Sequence, residues 1–184
     1  MEHRRTAAEQ HFRTLFEQSS RPLLAYALRR VRQPADASDV VAETFVVAWR
    51  RIDEVPAGDD ARFWLFGVAR RLLANQQRGE VRRSNLADRL RVQLDGQVGV
   101  DPMGPAETRH VVEEAMARLH PDDQELLRLT SWEGLSAAEI AVAFSVPPGT
   151  ARSRLHRARG RFRVQIEALG WNEPVLTNDL EMER

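Results

Sequence analysis

Residues 135–162, LSAAEIAVAFSVPPGTARSRLHRARGRF, constrain this chain more than any other stretch. Ser136 and Glu139 stand at the S-x-x-E spacing of a capping box, in which the serine hydroxyl takes an amide three residues on and the glutamate reaches back. Ile140, Ala141 and Phe144 supply an apolar face for the short helix that follows. Ser145 to Pro148 breaks it, because proline cannot continue a helix but is well suited to begin one. A second helix is expected from about Gly149 to Arg163. At 100° per residue Ala151, Leu155, Ala158 and Phe162 share one side, with Ser153, His156 and Arg157 roughly opposite and Arg152 at their edge. Six arginines and no acid lie between Arg152 and Arg163. A capped helix followed by a basic amphipathic helix is the pattern of a helix-turn-helix whose second helix enters a major groove. The same pattern also suits a helical hairpin with a solvated basic face, or a helix that binds an acidic protein.

The rest of the chain bears on that choice. Its 184 residues suit one large or two small domains. Formal net charge is zero, so any basic surface must come from local clustering; all 27 basic residues are arginine. There are no cysteines, which excludes disulfides, thiolate metal sites and a cysteine nucleophile. No run of 18 apolar residues is present and the first twelve residues lack a signal peptide's apolar stretch, so no membrane association and a cytoplasmic location are expected.

Residues 1–31 carry helical periodicity. Phe12, Leu15 and Phe16 form one apolar cluster and Leu23, Leu24, Ala27, Leu28 and Val31 another, separated by Pro22. After a turn at Gln33 to Ala35, Asp36 can cap the helix DASDVVAETFVVAWRRIDEV. Val41, Phe45, Val46, Trp49 and Ile52 are expected to face inward, with Asp39, Glu43, Thr44 and Val47 towards the other side. Residues 56–60 read as a loop. In the helix ARFWLFGVARRLLANQQRGEVRR, the inner face is Leu65, Val68, Ala69, Leu72 and Gln76. Trp64, Arg71, Asn75 and Arg78 make a second stripe within about 60° of one another. Gly67 and Ala74 lie beside it and leave room for close approach. An aromatic, an asparagine and arginines on one face suit base stacking, base-edge hydrogen bonds and phosphate contacts, although Trp64 also suits a half-buried core position.

Residues 84–108 hold three glycines, two prolines, four acids and two arginines, which reads as a net-negative linker between two helical modules. Helices are expected at about 107–119 and from Pro121 to Arg128 or Leu129, with His120 in the turn. The tail from Trp171 is acidic and poorly patterned. The five histidines match no metal or catalytic motif, and no phosphate-binding glycine loop or nucleophile elbow occurs, so no catalytic site, metal or cofactor is expected and an enzyme reading has no support.

DASDVVAETFVVAWRRIDEV, ARFWLFGVARRLLANQQR and LSAAEIAVAFSVPPGTARSRLHRAR, in that order and spacing, resemble the domain-two and domain-four segments of an extracytoplasmic-function (ECF) sigma factor of bacterial RNA polymerase, in the sigma-70 superfamily. The resemblance implies an all-α chain of two small helical domains joined by an extended linker: domain two over 1–83, linker 84–106, domain four with its helix-turn-helix over 107–170, and an acidic tail at 171–184. It implies polymerase docking on the β′ clamp helices through Asp39, Glu43, Thr44 and Val47, and on the β flap through domain four. It implies −10 recognition and melting by Trp64, Arg71, Asn75 and Arg78, with a flipped base received by the loop Pro56 to Arg62. The −35 positions are Arg152, Ser153, His156 and Arg157, with Thr150 and Arg154 as phosphate contacts. Core polymerase, promoter DNA and an anti-sigma factor are the implied partners.

Two other readings stand beside it. One is a conventional helix-turn-helix regulator with residues 1–83 as a sensor or dimerisation module, against which the second basic stripe counts. The other is a sigma mimic that occupies polymerase without starting transcription.

Overall fold

The computed structural model describes residues 2–87 and 106–171, with side chains at 6–76 and 108–171. They form α1 (Glu2–Leu28), α2 (Pro34–Arg50), a 3-10 turn (Ile52–Glu54), α3 (Asp60–Ala87), α4 (Ala106–Ala117), α5 (Pro121–Ser131), α6 (Ala137–Phe144) and α7 (Pro148–Ala168). No strand occurs among the described residues, so the all-α class expected from periodicity is met. They divide into two compact units: one holds 2–87 and 135–151, the other 106–134 and 152–171. Most of the expected linker and the acidic tail beyond Trp171 lie outside the described residues.

In the first unit, α1 continues through Pro22 as one helix, which carries both of the apolar clusters read on either side of it. Its buried stripe explains why: Leu15, Ser19, Leu23, Tyr26 and Ala27 recur at helical spacing, and packing along that stripe outweighs the backbone hydrogen bond that proline forfeits. The second helix starts earlier than expected. Pro34 is its first residue, Gln33 its cap in extended conformation, and Asp36 stands in the first turn without capping.

The inner face of α2 is Ala37, Val40, Thr44, Phe45 and Ala48. This corrects the expected inner set of Val41, Phe45, Val46, Trp49 and Ile52. Because α2 packs against both α1 and α3, small side chains along its centre let the neighbouring helices approach closely, while bulky Val46 and Trp49 are left 46% and 43% exposed. Rings from the two helices close the seam: Phe16 and Phe45 lie 4.8 Å apart, and Phe12 and Trp49 meet edge-on at 5.3 Å.

The middle helix of the unit, α3, is enclosed by α1, α2 and α6. All seven residues from Phe63 to Ala69 are buried, as expected of a helix segment that is apolar all round. Leu65 is inaccessible to solvent as anticipated, and Leu73 is buried where Leu72 had been expected.

The second unit is held by Ala115, Leu119, Leu126, Leu129, Leu155, Ala158 and Ile166. Each fully buried leucine contributes about 1.5–3 kcal/mol. His120 caps α5, its Nδ1 accepting the Asp122 amide at 3.3 Å, with Pro121 as the first helical residue. One of the six arginines of the basic helix serves structure. The guanidinium of Arg161 donates twice to the buried Asp123 carboxylate, at 2.7 Å each. That bond raises the Arg161 pKa further above its ordinary value.

Candidate nucleic-acid interfaces

The helix-turn-helix is built by local chemistry. The Glu139 amide donates to Ser136 Oγ at 3.3 Å and the Ser136 amide donates to Glu139 Oε2 at 2.7 Å, closing the capping box. Such a cap contributes about 1 kcal/mol. Ile140, Ala141 and Phe144 are buried as expected. Ser145 ends α6 in the left-handed region at φ 53°. The Val146 amide then reaches the Ala141 carbonyl at 3.0 Å and the Ser145 amide the Val142 carbonyl at 3.1 Å, the hydrogen bonds of a Schellman closure. Pro148 starts α7.

Along α7, Ala151, Leu155 and Ala158 are buried and Phe162 is half-buried. Arg152, Ser153, Arg154, His156 and Arg157 are all exposed, and Thr150 is half-exposed. Arg157 also donates from Nε to the Ser153 carbonyl at 3.3 Å. With no acid among them, these residues form a positive, hydrogen-bonding surface on a helix of the kind that fits a major groove.

On α3 the expected stripe divides. Arg71 and Asn75 are exposed. Burial and the neighbouring guanidinium groups of Arg70 and Arg51 hold the Arg71 pKa below its ordinary value. Three like charges in one neighbourhood favour an anion such as a phosphate. Trp64 requires a correction. It is only 9% exposed, and the guanidinium of Arg51 lies 5.7 Å from its ring centroid. Its place in the apolar run from Phe63 to Ala69 draws it into the core, so its ring offers no open platform for a base. The side chain of Arg78 lies outside the described residues. The loop before α3 turns at Gly58, whose φ of +66° favours glycine.

On α2, Asp39 and Glu43 are exposed and Val47 is half-buried. Thr44 is a second correction: it is fully buried, its hydroxyl donating to the Val40 carbonyl at 2.7 Å. The exposed face instead runs Asp39, Ala42, Glu43, Val46 and Trp49. Helical geometry held the signal, since Val46 lies about 20° from Asp39 around the axis and Thr44 about 140°. The bulk of Val46 and Trp49 had argued for the core. Exposed Phe16, at 46%, extends this acidic and apolar surface onto α1. Among the described residues no group of three or more histidine, aspartate or glutamate side chains could hold a metal ion. No described helix is long and apolar enough to cross a membrane.

Residues 15–83 match sigma-70 region 2 and residues 109–162 match sigma-70 region 4. The ECF RNA polymerase sigma factor SigL of Mycobacterium tuberculosis is 31% identical over 161 residues, covering 86% of this chain and 90% of SigL. The RNA polymerase sigma factor CarQ of Myxococcus xanthus is 30% identical over 173 residues, 92% of this chain and 97% of CarQ. Among solved structures, the sigma factor RpoE in complex with the anti-sigma factor NepR from Bartonella quintana superposes with a TM-score of 0.61 at 25% identity, covering 85% of this chain and 96% of RpoE. CnrH in complex with the cytosolic domain of CnrY shares the fold, with a TM-score of 0.55 at 21% identity over 89% of this chain and 97% of CnrH.

Proposed function

Because the chain belongs to the extracytoplasmic-function sigma factors of the sigma-70 family, which bind RNA polymerase and promoter DNA to initiate transcription, we propose a division of labour among its helices. Arg152, Ser153, His156 and Arg157 of α7 read the −35 element, with Thr150 and Arg154 on the phosphates. The observation that carries this is the exposed face of α7 in a helix-turn-helix whose first helix is capped at both ends. Arg71 and Asn75 of α3 engage the −10 element, the asparagine by base-edge hydrogen bonds and the arginine on phosphate. Melting exposes bases at a cost of a few kcal/mol, offset where the protein holds a flipped base; the turn at Gly58, directly before α3, is suited to receive one.

Polymerase docks on the exposed face of α2, through Asp39 and Glu43 flanked by Val46 and Trp49. Carboxylates beside an exposed aromatic suit a partner helix that carries both basic and apolar side chains. An anti-sigma factor would act by covering this face; the similar RpoE is bound to the anti-sigma factor NepR. The chain contributes recognition while the nucleotidyl chemistry is the polymerase's, and it works in the cytoplasm where polymerase and promoter meet.

Nuclease footprinting with and without core polymerase tests the division. With about five to eight phosphate contacts, the affinity of the free chain should fall with a log–log salt slope of about −4.5 to −7. The free chain should leave the promoter unprotected at physiological salt, and core polymerase should produce joint protection of both elements. Full promoter protection by the free chain would overturn this reading.

A further inference from the structure

In the second unit one side chain ties the basic helix to a fixed neighbour. Arg161 of α7 donates from Nε to Asp123 Oδ2 and from Nη2 to Oδ1, each at 2.7 Å, so two parallel bonds join a planar fork to a planar carboxylate. The partners lie 38 residues apart in the chain. Asp123 stands in the first turn of α5, where a helix N-terminus favours negative charge. Its side chain is 9% exposed, against 53% for that of Arg161. A short, buried side chain is held by its close-packed surroundings, so the carboxylate is the anchor and the long arginine the arm.

Around the axis of α7, Arg161 lies about 40° from Arg157 on one side and about 60° from buried Ala158 on the other. It thus occupies the border between the exposed basic face and the buried face. Along the axis it stands one turn, about 6 Å, beyond Arg157. Burial of Leu155 and Ala158 holds α7 to the unit, but apolar burial is non-directional and resists rotation weakly. The guanidinium fork is directional. A turn of α7 by about 20° would carry an atom about 5–6 Å from the axis through about 2 Å. An ordinary hydrogen bond of about 2.9 Å to a base edge does not survive such a shift.

We propose that Arg161 and Asp123 form a strut that sets the rotation of α7, which makes Arg161 a positioning residue for −35 recognition. It fixes which base edges Arg152, Ser153, His156 and Arg157 address, without touching DNA itself. The consequence for recognition rests on the assignment of that face to the −35 element proposed above. The opposite role, Arg161 as a phosphate contact that Asp123 restrains, makes the opposite prediction at Asp123.

The test is a panel of −35 variants bound by the full chain with core polymerase in excess, read as the ratio of affinities for the cognate and an altered sequence. Such a ratio does not depend on the fraction of chains that are folded, so destabilisation alone leaves it unchanged. Arg161→Lys keeps the charge and removes the fork. It should lower the ratio about tenfold, the size of one base contact, and leave the log–log salt slope unchanged. Asp123→Asn keeps the shape but replaces one acceptor oxygen with a donor that opposes the fork, and should lower the ratio by a similar factor. The double variant should lose no more than the larger single loss, as for two residues that act through one contact. A parental ratio in Arg161→Lys overturns the strut. So does an Asp123→Asn chain that binds cognate and altered sequences more tightly by the same factor, the mark of a freed phosphate contact. If Asp123→Asn does not fold, Arg161→Lys decides, since its side chain is largely in solvent. Arg157→Ala distinguishes the two ways of failing. A ratio unchanged in Arg157→Ala and in both strut variants overturns the face assignment, whereas a ratio that falls in Arg157→Ala and holds in the strut variants overturns the strut alone.

Discussion

Replacing Arg157 with alanine is expected to lower transcription from the cognate promoter about 5- to 150-fold, the equivalent of 1–3 kcal/mol for a lost base-edge contact. The residue is exposed, and it makes a local hydrogen bond to the Ser153 carbonyl. The fold should therefore be undisturbed, and core polymerase affinity should match that of the parent. The effect should depend on sequence, with discrimination relaxed at one −35 position. Arg154→Ala, a phosphate contact, should weaken binding about uniformly across sequences and reduce the salt slope by about one. Promoter-variant panels assayed with reconstituted holoenzyme distinguish the two. If Arg157→Ala instead lost polymerase and kept promoter affinity, the assignment of this helix face would be wrong.

Glu43→Arg should act at the other end of the process. Charge reversal at the centre of the exposed α2 face brings like charges together against a basic partner, and interface residues of this kind cost about 2 kcal/mol or more when lost. Core polymerase affinity should fall at least about 30-fold, measured by fluorescence anisotropy of a labelled chain. Thermal stability should stay within about 0.5 kcal/mol, as for other exposed substitutions. Thr44, buried and bonded to the Val40 carbonyl, should behave in the opposite manner, with substitutions there lowering stability.

The parts of this molecule that could be read from its sequence are those decided within a few residues. The Ser136–Glu139 box, the break at Ser145 to Pro148 and the solvent side of α7 all depend on neighbours along the chain, and the structure meets each of them. Elements decided by distant partners were less legible. Pro22 divides the sequence pattern without dividing α1, because the stripe from Leu15 to Ala27 is held by other helices. The rotation of α2, which exposes Val46 and Trp49 and buries Thr44, follows from its position between two neighbours that small residues suit better than large ones. On its stripe alone, Trp64 suits a stacking platform as well as a half-buried core position. The unbroken run of apolar residues from Phe63 to Ala69 was the better guide, since a helix apolar on every side is enclosed. The sequence marks Gly67 as a place of close approach, but only the backbone of Ala143 reveals that α6 is what approaches.

As a sigma factor, this chain turns core polymerase into a promoter-specific enzyme. Run-off transcription with purified core, the full chain and genomic fragments captured by the holoenzyme tests it most directly. A discrete transcript that requires both core and chain, and that weakens with Arg157→Ala or Glu43→Arg, is the predicted result. A chain that binds core but yields no transcript, or that binds a palindromic site as a dimer without core, would contradict it.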